Sequence, residues 1–176
     1  MPSPLVLASC FSGRDCARVL ALGRALPKHR GETVVPTENY RSGSIAWIER
    51  TAKNDWLHDL LWEIGQVANA SYRFELAGFR EPLQFSEYAP GNHIKWHADA
   101  GAGFISTRKL SISIQLTDEG DYAGGGLEFC PGGEPLLSRN RGTAIVFPSY
   151  MPHRVTRVKS GVRHSLVAWI HGPPFR

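Results

Sequence analysis

The period of the hydrophobic positions changes once along this chain, near residue 73. Before that point apolar residues recur at helical spacing in two stretches. "SGRDCARVLALGRAL" starts at Ser12, a residue type that caps a helix N-terminus, and its apolar positions follow a helical repeat. A second helix is predicted from Asn54 to about Ala70, with Trp56, Leu57, Leu60, Leu61, Ile64, Val67 and Ala68 as its apolar stripe. Gly and Pro break the pattern in "RGETVVPTENYRSGSIAWIER", which reads as strand and loop, and "LVLASC" reads as a first strand.

After residue 73 the period is two. "YRFEL" and "LQFSEYAP" predict strands on either side of a turn at 78–82. "KLSISIQL" alternates most cleanly: Leu110, Ile112, Ile114 and Leu116 face one way, and Lys109, Ser111, Ser113 and Gln115 the other. "GGLEFC", "GTAIVF" and "HSLVAWI" follow, separated by Gly- and Pro-rich turns. Short strands at near-regular intervals predict a sandwich or barrel. The expected fold is mainly β with flanking α-helices: residues 1–72 support a β-core over 73–172, in one domain spanning 1–176.

Composition sets bounds without choosing a function. At 176 residues, 42% hydrophobic and 20% charged, the chain is an ordinary globular protein. A net charge of +4 and a pI near 9.1 admit an acidic substrate or nucleic acid but require neither. Cys10, Cys16 and Cys130 have no CxxC spacing and read as reduced thiols, so a cytoplasmic location is expected. No apolar run approaches the ~20 residues that span a bilayer. The basic residues Arg14, Arg18, Arg24, Lys28 and Arg30 are expected on a solvated helix face.

Candidate chemistry begins in "GNHIKWHADAGAG". Residues two apart on a strand share a face, so His97 and Asp99 can offer an imidazole and a carboxylate to one metal ion. Two ligands hold a metal poorly, and His153 in "FPSYMPHRVTRV" is the best third. Two histidines and one carboxylate form the facial triad of non-haem Fe(II) oxygenases, which leaves positions open for a co-substrate and O₂. Arg163 lies ten positions beyond His153, at the start of a strand, with Ser165 on the same face. A guanidinium clamps a carboxylate through two parallel hydrogen bonds and a hydroxyl adds a third, as a dicarboxylate such as 2-oxoglutarate would require.

"LQFSEYAPGNHIKWHADAG", "LTDEGDYAGGGLEF" and "RGTAIVFPSYMPHRVTRVKSGVRHSLVAWI", in that order, resemble the Fe(II)/2-oxoglutarate dioxygenases of the prolyl 4-hydroxylase-like superfamily. The resemblance covers roughly residues 75 to 172. It implies a double-stranded β-helix (jelly-roll) core, with His97, Asp99 and His153 on iron and Arg163 on the far carboxylate of 2-oxoglutarate. It also implies that Tyr88 reaches that co-substrate and that ascorbate serves as an optional reductant. The activity implied is oxidative decarboxylation of 2-oxoglutarate to succinate and CO₂, coupled to hydroxylation of an unactivated C–H bond. Many prolyl hydroxylases carry lysine where this chain has Arg163, so the resemblance transfers the co-substrate more firmly than the prolyl substrate.

The expected partner is a peptide, amino-acid or other small-molecule substrate, bound by a monomer or homodimer. A nucleic-acid demethylase and a non-catalytic iron or 2-oxoglutarate sensor are the alternatives. Bland expectations stand beside these. His93 reads as a rim residue, although it would share the face of His97 if the strand starts early. His164 should point away from the site, and His29, His58 and His171 read as surface. Trp96 is expected in the core, and Trp169 either in the core or in the co-substrate wall. Residues 100–107 are expected to form a lid, and specificity is expected in the loops at 78–84, 100–108 and 130–140.

Overall fold

A computed structural model describes residues 3–30, 41–129 and 138–175. In chain order the elements are β1 (Leu5–Leu7), α1 (Gly13–Ala25), β2 (His29–Arg30), β3 (Arg41–Ser42), β4 (Ser44–Ile48), α2 (Asp55–Tyr72), β5 (Leu83–Tyr88) and β6 (His93–His97). They continue with β7 (Arg108–Gln115), β8 (Tyr122–Gly124), β9 (Leu127–Phe129), β10 (Ala144–Pro148), β11 (His153–Val155), β12 (Val158–Gly161) and β13 (Arg163–His171). Short 3₁₀ turns occupy Gly103–Thr107 and Glu119–Asp121.

Seven strands form one antiparallel sheet in the order β1-β10-β7-β13-β5-β4-β2, and four form a second in the order β3-β6-β11-β9. Every strand pairing among the described residues is antiparallel, and β12 and β8 make a separate ribbon. This is the expected mainly β jelly-roll with two helices. Both helices lie on one face of the larger sheet, where Val19, Leu57, Leu61, Ile64, Leu110, Ile112, Ile114, Leu166 and Ile170 form the principal core. α1 begins at a capping box in which Ser12 and Asp15 satisfy each other's backbone N–H groups. Gly65 lets α2 approach Ile170 on β13, and Gly23 lets α1 approach the Phe85 ring on β5; a Cβ at either would collide with its neighbour.

The other face of the large sheet looks toward the small sheet. Between them lies a second apolar cluster that includes Ile94, Leu127, Phe129, Ile145, Phe147 and Val155. Among the described residues no helix is long and apolar enough to cross a membrane.

Several expectations need correction. "YRFEL" is not a strand: α2 runs to Tyr72, Arg73 ends it with φ 58°, and the chain beyond makes only an isolated bridge from Gly78 to His171. Val67 is exposed at 64%, at the edge of the α2 stripe. His58 and His171 are buried rather than on the surface, while His29 is exposed. Trp96 is half-buried beneath the Arg154 guanidinium, not in the core. Cys130 and most of the 130–140 loop lie outside the described residues.

Candidate metal and co-substrate site

The cleft-facing side of the large sheet is polar and yet buried. Alternation puts Ser111, Ser113 and Gln115 of β7, Gln84, Ser86 and Tyr88 of β5, and Arg163, Ser165 and Trp169 of β13 on one side, all nine-tenths or more buried. The alternation of "KLSISIQL" is therefore real, but its polar half faces another sheet rather than water.

At one end of the cleft three potential ligands converge. His97 and His153 are directly paired across β6 and β11. Asp99 lies two residues past the end of β6, in a bend, so it does not share a strand face with His97. Backbone bonds hold it instead: the Asp99 and Ala100 N–H groups both donate to the Ser149 carbonyl at 2.8 Å. The ligand atoms of His97, Asp99 and His153 all lie within 4.8 Å of one another. Asp99 Oδ1 is 3.5 Å from His97 Nε2 and 3.7 Å from His153 Nε2.

Neighbouring groups orient each ligand. His97 Nδ1 is 2.9 Å from the Lys95 carbonyl and His153 Nδ1 is 3.0 Å from the Met151 carbonyl. A carbonyl only accepts, so each Nδ1 carries the proton and each Nε2 presents its lone pair inward. Ser111 Oγ–H donates to Asp99 Oδ2 at 2.6 Å and is itself 3.0 Å from Ser149 Oγ. Burial alone would raise the Asp99 carboxyl, but His153, His97 and Ser111 outweigh it and hold it well below the usual carboxylate range. Burial pushes His153 down to about 4 despite Asp99, so its imidazole is neutral and ready to ligate near pH 7.

The far end of the cleft is built for an anion. Arg163 is 2% exposed, and its contacts are Ser165 Oγ at 3.5 Å, Gln115 Oε1 at 3.2 Å and the Tyr88 ring at 5.4 Å. None of these is a carboxylate. A buried guanidinium with no acidic partner among the described residues is costly unless a ligand supplies the charge. Arg163 Nε, Gln115 Nε2 and Trp169 Nε1 are buried donors with no hydrogen-bond partner among the described residues. One partly open cleft joins the two ends. His97, Asp99, His153, Tyr88, Arg163, Ser165 and Trp169 all line it. The donor set suits a ferrous ion and the orphaned donors suit a dicarboxylate.

The comparisons agree with that geometry. Residues 83–171 match the family model of the 2OG-Fe(II) oxygenase superfamily. The chain belongs to that superfamily. A PKHD-type hydroxylase of Crocosphaera subtropica is 34% identical over 94 residues, covering 51% of this chain and 42% of that protein. A PKHD-type hydroxylase of Thermosynechococcus vestitus is 38% identical over 94 residues, with the same shares. The match thus spans less than half the length of these curated relatives. In fold, the chain is similar to a Pseudomonas putida prolyl-4-hydroxylase, with TM-score 0.78, 21% identity, and 97% and 92% of the two chains covered. A Trichoplax adhaerens prolyl hydroxylase in complex with a hypoxia inducible factor peptide fragment gives TM-score 0.78 at 17% identity, covering 96% and 83%.

The structure brings all six sequence-predicted site residues to one cleft. It also keeps His93 out of the cleft, in line with its reading as a rim residue. Ile94 pairs with Val155 while His97 pairs with His153, so β6 carries an extra residue between them. That irregularity leaves Ile94, not His93, lining the cleft with His97, and His93 hydrogen-bonds Ser42. His164 points away from the cleft, as expected, to Glu87 at 3.1 Å. Gln115 and Ser111 were legible only as the polar half of a strand; nothing local marked them as partners of Arg163 and Asp99.

Proposed function

We propose that the protein is an Fe(II)- and 2-oxoglutarate-dependent hydroxylase in which His97, Asp99 and His153 hold the metal. Arg163, Ser165 and Gln115 take the far carboxylate of 2-oxoglutarate, and Tyr88 walls its pocket. One observation carries the reading: three convergent ligands and a buried guanidinium with no carboxylate partner among the described residues line the same cleft.

Held by His97, Asp99 and His153, a ferrous ion would supply the redox chemistry that couples decarboxylation of 2-oxoglutarate, to succinate and CO₂, to hydroxylation of a C–H bond. The chain's own part is binding, orientation and exclusion of water. The Lys95 and Met151 carbonyls fix the two imidazoles in the ligating tautomer, and Ser111 fixes the carboxylate rotamer. His97 and His153 come from β6 and β11 and Asp99 from the bend after β6, and the cleft they line also carries Arg163, Ser165 and Trp169 of β13. Phe147 packs against the His153 ring at 4.7 Å, and Leu127, Val155 and Ile94 complete an apolar wall that limits water.

The substrate we propose is a prolyl, peptidyl or amino-acid-like compound. Support comes from the prolyl hydroxylases of the same fold and from the indole of Trp169, which walls the cleft with its ring centroid 6.4 Å from that of the exposed Trp47. Incubation with Fe(II), 2-oxoglutarate and proline-containing peptides should yield succinate together with a product heavier by one oxygen. Absence of succinate under every substrate set would remove the hydroxylase reading; succinate without any peptide or amino-acid product would remove only the substrate class.

A further inference from the structure

Glu81 lies two residues before β5, outside the cleft lining, and no step above uses it. Its carboxylate is nevertheless fully engaged. Oε1 accepts from Arg108 Nε at 2.7 Å and from His171 Nε2 at 2.8 Å, and Oε2 accepts from Arg108 Nη2 at 2.5 Å. His171, at 0% exposure, is held in turn by Thr107 Oγ1, 2.8 Å from its Nδ1. Burial pulls the Glu81 carboxyl upward, but His171 and Arg108 outweigh it, so Glu81 stays ionised.

Arg108 then reaches the site in two directions. Its Nη1 donates to the main-chain carbonyl of Asp99 at 3.1 Å. Its guanidinium carbon sits 3.8 Å from the centroid of the Trp169 ring, which lines the cleft and whose N–H has no partner among the described residues. A guanidinium is a rigid planar fork, so fixing Nε and Nη2 on one carboxylate fixes the plane of the whole group. That plane determines where Nη1 points and whether the group lies flat on the indole. With Glu81 gone, one bond to a carbonyl would remain to hold a side chain that is 11% exposed and drawn toward water.

We propose that Glu81 is a positioning residue for the metal centre, fixing the Asp99 turn and the Trp169 indole through Arg108, with His171 locking its carboxylate. The inference rests on the reading of Asp99 as a metal ligand. Glu87 provides a matched control. It too is a partly buried carboxylate, paired with Lys28 at 2.8 Å and His164 at 3.1 Å, and it does not line the cleft.

Mn(II), an O₂-inert stand-in for Fe(II), is titrated into the full chain by electron paramagnetic resonance. Glu81→Gln is expected to raise the Mn(II) dissociation constant by ~10-fold or more, the range for lost outer-shell partners. Glu87→Gln is expected to leave it unchanged while lowering the melting temperature comparably. Arg108→Lys keeps the charge but loses the fork, so it should weaken Mn(II) binding as Glu81→Gln does, and it serves if the first variant fails to fold. Wild-type affinity in both Glu81→Gln and Arg108→Lys, or equal weakening by Glu87→Gln, would overturn the proposal. A wild-type chain that binds no Mn(II) would instead remove the metal-site reading on which the proposal rests.

Discussion

The large sheet is buried on both faces, but its two faces are made of different chemistry. Toward the helices β13 sends Leu166, Ala168 and Ile170, and β7 sends Leu110, Ile112 and Ile114. Toward the small sheet the same strands send Arg163, Ser165 and Trp169, and Ser111, Ser113 and Gln115, all 6% exposed or less. Burying a polar group costs free energy unless it is hydrogen-bonded, and an unpaired buried charge costs more. The helix face is what stability alone selects. The cleft face gives up stability to present donors, and it is there that Arg163, Gln115 and Trp169 keep N–H groups with no partner among the described residues.

That contrast predicts separable effects. The largest is Asp99→Ala, which should abolish retention of iron by the isolated protein, measured as metal per chain after desalting; stoichiometric iron in this variant would break the assignment. Next is a pair on one strand. Arg163→Met should weaken 2-oxoglutarate binding by ~100-fold, about 2.7 kcal/mol, with an unchanged or higher melting temperature because a buried charge is removed. Leu166→Ala should do the reverse, costing ~2–5 kcal/mol of unfolding free energy in denaturant melts while the folded fraction binds 2-oxoglutarate normally. Ser111→Ala should weaken metal binding by ~10-fold through loss of the hydrogen bond to Asp99.

The smallest effect belongs to the helix side. Burial lowers His58 below its ordinary value even though the Asn54 carbonyl favours the charged form. The unfolded chain therefore takes up a proton first as pH falls through about 6.5, and folded-state stability declines over that window. His58→Leu should flatten the dependence of unfolding free energy on pH between about 6.5 and the lower folded-state value. An unchanged slope would show that His58 is not the group responsible.

The same contrast explains what could be read from the sequence. The alternation of β7 and the order His97, Asp99, His153, Arg163 were legible because period and spacing are local. That the polar half of β7 is buried was not legible, since alternation says which residues share a face but not what that face meets. His93 was rightly read as a rim residue, but the one-residue irregularity in β6 that turns it from the face of His97 has no signature in "HIKWH". His171 read as surface because its partners, Glu81 and Thr107, lie 90 and 64 residues away. "YRFEL" read as a strand because Phe74 and Leu76 are half-buried at period two, yet α2 runs on through Tyr72.

The most direct test is an anaerobic calorimetric titration of the apoprotein with Fe(II) and 2-oxoglutarate. The account predicts one ferrous ion per chain, and keto-acid binding that needs both that ion and the Arg163 guanidinium. Equally tight 2-oxoglutarate binding with the metal chelated away, or no ferrous binding at all, would contradict it.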